Sequence, residues 1–151
     1  MFRHKMVSLS ILFALVACGR SDAPSARPAP GTAHDLAVGQ VWEYRNRPGD
    51  DGSTLTIGRL EDLPKIGSIV HISIAGVHVK DPGVPGGQSE RLPHAPFSRA
   101  AFEGSITLLV GRASPPAEFE AGYQQWQRAH GGVFTISVAE AVDLLEKGIN
   151  K

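Results

Sequence analysis

A single cysteine, Cys18, is the whole thiol content of this 151-residue chain, and it closes an apolar run near the N-terminus. No disulfide can form within one copy, so whatever folds must be held by burial of apolar side chains. Residues 35–151 number 117. That is the ordinary size of one domain and long enough to remove roughly two-thirds of the unfolded chain's surface from water.

Ahead of Cys18 the chain carries positive charge at Arg3 and Lys5, and Val7 to Ala17 is apolar apart from Ser8 and Ser10. This is the charged, apolar, small-residue order of a secretory signal. Its 11 apolar-run residues fall well short of the about 20 that a membrane-spanning helix needs. Leu15-Val16-Ala17-Cys18 resembles the lipobox of bacterial lipoproteins, an aliphatic residue, a small or β-branched residue, a small residue and a cysteine. The resemblance implies a signal peptide of residues 1–17, a diacylglycerol thioether on Cys18 and a fatty acyl chain such as palmitate on its new amino group. The lipid bilayer is then a partner through acylated Cys18, and several chains, each adding about 0.8 kcal/mol per buried methylene, hold stably where one would not. Gly19 is not the aspartate associated with inner-membrane retention, so the implied address is the outer membrane of the cell envelope, facing the periplasm.

Residues 18–34 hold Pro24, Pro28 and Pro30 among alanine, serine, glycine and threonine, with no apolar period. They read as a flexible tether that reaches up to roughly 50 Å when extended. Without residues 1–17 the chain has 13 basic and 15 acidic residues, a formal charge of −2. A protein that grips phosphate backbones carries a basic excess, so the charge argues against nucleic acid.

Within residues 35–151, Gln40 to Arg45 alternates as a strand with Trp42 and Tyr44 on one face. The stretch from Arg47 to Gly52 reads as a solvated turn leading into a second strand at Thr54 to Ile57. Asp50 and Asp51 lack the alternating acids and distal glutamate of a calcium loop. Ile69-Val70-His71-Ile72-Ser73-Ile74 is the strongest strand signal, and Ala75-Gly76 either turns it into a partner or inserts a bulge. A turn would bring His71 and His78 together, but a histidine pair without a third ligand is weak grounds for a metal, so no metal and no cofactor is expected.

Asp81 to Phe97, with four prolines and three glycines, reads as a long loop. Such loops carry function more often than short ones, which makes Glu90, Arg91 and His94 the candidate binding residues. A helix capped by Ser98 is expected to run to about Val110, with Phe102, Ile106, Leu109 and Val110 on one side. A second helix follows Ser114-Pro115-Pro116, its Phe119, Tyr123 and Trp126 forming a core-facing seam. Val133 to Ile136 reads as a short buried strand. Ser137 and Glu140 form a capping box for a last helix ending near Gly148, with Ala141, Val142, Leu145 and Ile149 on its inner face.

The whole is an α+β fold, an antiparallel sheet of four to five strands packed by about three helices in a single domain. Val38 to Tyr44, Ile69 to Ile74 and Gly132 to Val142 together resemble a small uncharacterised domain of bacterial proteins, which implies the same fold class and adds no site. No Gly-x-Ser-x-Gly, His-Glu-x-x-His, phosphate-loop or Cys-x-x-Cys signature occurs. The sequence therefore leans away from an enzyme and toward a tethered domain that binds an envelope protein or other envelope component, with an inhibitor or immunity factor among the roles such a domain serves. The alternative is a small periplasmic hydrolase whose base is one of His71, His78, His94 and His130.

Overall fold

A computed structural model describes residues 34–150. The signal sequence, Cys18 and residues 18–33 of the tether lie outside the described residues. Five antiparallel strands form one sheet: β1 (Gln40–Tyr44), β2 (Thr54–Leu63), β3 (Gly67–Lys80), β4 (Gln88–Ser98) and β5 (Ile106–Arg112), in the order β4-β3-β2-β1-β5. Helix α1 (Arg99–Ser105) links β4 to β5, and α2 (Glu118–Arg128) and α3 (Val138–Ile149) follow. This is the α+β single domain that the strand and helix patterns require.

The α1 link bends the sheet. A seven-residue helix is about 10 Å long, whereas four inter-strand steps would separate the edges of a flat sheet by about 19 Å. The sheet therefore curls, and its inner face, with Leu55, Ile57, Val70, Ile72, Ile74 and Phe97, closes over Phe102 of α1 and Val138, Ala141 and Val142 of α3. Trp42 and Tyr44 share a buried face as their alternation requires. The Ser137–Glu140 capping box is present, with the Glu140 amide donating to Ser137 Oγ at 3.3 Å and the Ser137 amide donating to Glu140 Oε2 at 3.0 Å. Ile149, expected on the inner face, is exposed.

Four expectations are corrected. The Asp81 to Phe97 loop is a seven-residue turn followed by β4, so Glu90, Arg91 and His94 stand on a strand. Prolines survive there because β4 is an edge strand, bonded to β3 on one side only, where a missing N–H costs no ladder bond. The helix from Ser98 ends at Ser105, and Ile106 to Arg112 pairs with β1 as β5. Val133 to Ile136 contributes one parallel bridge, Phe97 to Phe134, which covers the outer edge of β4. Asp50 is buried, accepting from Arg47 Nε at 2.6 Å and from the His78 amide at 2.7 Å, so the β1–β2 turn is anchored and not merely solvated.

Ala75-Gly76 resolves as a bulge inside β3. Gly76 has φ +77°, and a Cβ there would stand 3.3 Å from Ser53 Cα. His71 and His78 are thus seven residues apart on one strand, roughly 20 Å by strand rise, and are not neighbours. No helix among the described residues is long and apolar enough to cross a membrane.

Candidate functional site

The outer face of β3 is as buried as its inner face: Ile69, His71 and Ser73 alternate with Val70, Ile72 and Ile74, and all six are covered. Helix α2 provides the second cover. Phe119 and Tyr123 at i and i+4 are buried against the sheet, and Trp126 at i+7 is half-buried. Two glycines let the helix come this close. A Cβ on Gly58 of β2 would meet the Phe119 ring at 2.2 Å, and one on Gly122 of α2 would meet His94 Cβ at 2.7 Å.

Between helix and sheet lies a polar cluster. His71 on β3 is fully buried and stacks on His94 of β4, with ring centroids 5.2 Å apart. His71 Nδ1 and His94 Nε2 are 3.0 Å apart, and His71 Nε2 is 3.5 Å from Glu61 Oε2 on β2. Tyr123 Oη donates to Glu61 Oε1. One tautomer set fits these contacts: His94 Nε2–H donates to His71 Nδ1, and His71 Nε2–H points at the carboxylate. The opposite assignment would set a bare nitrogen lone pair against Glu61. The His94 Nε2–H is then used on His71, the Tyr123 hydroxyl bonds the Glu61 carboxylate, and the His71 Nε2–H faces that carboxylate from 3.5 Å without forming a full hydrogen bond.

Burial lowers the pKa of His71 against the pull of Glu61, and burial with the neighbouring His71 lowers that of His94 to about 4. Both rings are neutral near pH 7. Burial and the bond to Glu61 raise the Tyr123 phenol. Arg59 lies with its guanidinium carbon 4.1 Å from the Tyr123 ring centre and reaches Glu120 at 3.3 Å.

Beside this cluster is a groove of about 300 Å³ between the β2–β3 turn and the C-terminal end of α2. Leu63, Ile66, Trp126, Gln127, His130 and Gly131 line it, with Glu61 at the side shared with the histidines. The Trp126 indole is fixed by its N–H donating to the Gly132 carbonyl at 2.9 Å.

A second charged cluster ties the β1–β2 turn to α3. Arg47 donates to Asp50, Asp143 and Glu146 and to the His78 carbonyl, with His78 Nδ1 3.4 Å from Asp50. Burial opposes the Arg47 charge, but the three carboxylates outweigh it and hold its pKa above the ordinary value. The arrangement is self-satisfied and works as a clamp.

Of the residues singled out from sequence, His94 joins His71, His130 reaches the groove rim, and Glu90 and Arg91 remain exposed on β4 away from both. Arg59 and Glu61 fall beyond the strand expected at Thr54 to Ile57, in what reads as a connection, and the structure extends β2 through them to Leu63. Among the described residues no group of three or more histidine, cysteine, aspartate or glutamate side chains is placed to hold a metal ion. No protein-family model matches the chain, and no curated protein or solved structure matches it.

Proposed function

We propose that this protein is a lipoprotein of the bacterial cell envelope, anchored through acylated Cys18 in the outer membrane facing the periplasm, whose tethered α+β domain binds an envelope partner without catalysing a reaction. The observation that carries the reading is the complete pattern Leu15-Val16-Ala17-Cys18 behind a charged and then apolar leader, followed by a proline-rich tether. An inhibitor or immunity role fits a domain held on a leash at that surface.

Binding is favoured over hydrolysis by the state of the histidines. His71 has no exposed atom to offer a substrate, and one of its nitrogens is engaged by His94 while the other faces Glu61. Among the described residues no serine or threonine hydroxyl hydrogen-bonds a histidine ring, the contact that a hydroxyl nucleophile requires. The test is retention of an envelope component by the membrane-anchored full chain in a pull-down. The reading expects one component to be retained specifically, with Glu90→Lys and Arg91→Glu together measuring what the exposed face of β4 contributes. Hydrolysis of an envelope substrate that is lost in His71→Ala or His94→Ala would overturn it.

A further inference from the structure

The groove beside α2 has a chemistry of its own. Its walls are largely apolar, from Leu63, Ile66 and Trp126, with Gln127 and His130 also lining it, and among the described residues Glu61 is the one acid there. Glu61 is mostly withdrawn from water, its side chain 19 % exposed, yet the groups aimed at it are uncharged: the Tyr123 hydroxyl and the His71 ring. Among the described residues no lysine or arginine lies within 4.0 Å of its carboxylate: Arg59, the cation of the neighbouring cluster, lies on the Tyr123 ring and pairs with Glu120, and Lys65 and Arg128 do not line the groove. The C-terminal end of α2, where the helix dipole is negative, forms another wall through Gln127.

A mostly buried carboxylate that pairs with no lysine or arginine, a negative helix end beside it and an apolar wall opposite favour one kind of guest. We propose that this groove binds a small organic cation, its ammonium group toward Glu61 and its hydrocarbon part against Trp126, Leu63 and Ile66. A carboxylate mostly withdrawn from water attracts a cation far more than a neutral molecule of the same shape, and the indole offers apolar contact to the hydrocarbon part. At about 300 Å³ the groove is at the small end of ligand sites, which suits an ammonium carrying one ring or a short chain. The assignment deepens the reading of the domain as a binding module and fails separately from it, because retention of an envelope partner does not depend on the amine result.

The test uses the full chain in a neutral maltoside detergent and follows the indole N–H signals of its two tryptophans by NMR, with Trp126→Phe assigning them. Benzylamine, benzyl alcohol and benzoate are titrated to about 50 mM. Benzylamine is expected to shift the Trp126 signal saturably and to bind about tenfold or more tighter than benzyl alcohol, with benzoate weakest. Glu61→Gln should bring amine and alcohol within about threefold of each other, while the Trp42 signal stays in place as evidence of an intact core. Equal binding of the amine and the alcohol by the wild-type chain, a preference for benzoate, or no shift at all would overturn the assignment, and none of these outcomes requires a variant to fold.

Discussion

His71 Nδ1 and His94 Nε2 stand 3.0 Å apart beneath α2, the first ring fully buried and the second half-covered. Two imidazoles this close cannot both be charged without strong repulsion. The pair is therefore a neutral structural bridge between β3 and β4 at ordinary pH, and its protonation opposes folding.

The first consequence is a pH dependence. As pH falls through about 6.5, the unfolded chain's histidines take up protons that folded His94 refuses until about pH 4. The unfolded state then binds more protons, so stability declines with falling pH across that window. Allowing for the partial exposure of His94, the loss from this ring is up to about 2 kcal/mol. Urea unfolding at pH 7.5 and pH 5 measures it, and His94→Gln should flatten the profile. Glu140 and Glu146, whose carboxyls are held below the ordinary range by Ser137 and Arg47 respectively, add their own loss only below about pH 4.5.

Gly58→Ala places a methyl group where the Phe119 ring lies. Overpacking of this kind costs about 1–3 kcal/mol, and α2 must lift from the sheet to accommodate it. Thermal unfolding should show the loss, and adding Phe119→Leu should recover part of it. If the double variant is no more stable than Gly58→Ala alone, the two residues are not in contact.

Arg47→Met strands Asp50, whose side chain is 1 % exposed, without its guanidinium partner. Removing one member of a buried ion pair costs about 3–5 kcal/mol; the exposed edge of this cluster, at Asp143, brings the expectation to about 3 kcal/mol. Arg47→Lys should recover only part of the loss, because an ammonium cannot serve Asp50, Asp143 and the His78 carbonyl together. Chemical denaturation of the three proteins decides it.

What the sequence made legible was local. The capping box of Ser137 and Glu140 fixes α3, and Trp42 with Tyr44 marks a strand, because those signals lie within a few residues of one another. Ile106, Leu109 and Val110 misled because their spacing matches a helix face, while β1 was there to pair with them as β5 and left Leu108, Leu109 and Val110 exposed. Four prolines hid β4: Pro82 and Pro85 belong to the turn before it, and Pro93 and Pro96 lie within it, tolerated by its place at the sheet edge. His71 and His94 each stood out alone, but their contact joins residues 23 apart through strand register. Glu61 acquires meaning only when α2 brings Tyr123 and Trp126 over it, a packing that glycines 58 and 122 permit and no pattern along the chain announces.

The proposed anchoring through acylated Cys18 is read from the mass of the mature N-terminal peptide of protein recovered in the membrane fraction. The expected peptide begins at Cys18 and carries both the diacylglyceryl and the amide-linked acyl mass, with Cys18→Ser leaving the membrane fraction or accumulating unprocessed. An N-terminal peptide with an unmodified Cys18, or membrane association unchanged in Cys18→Ser, would contradict it.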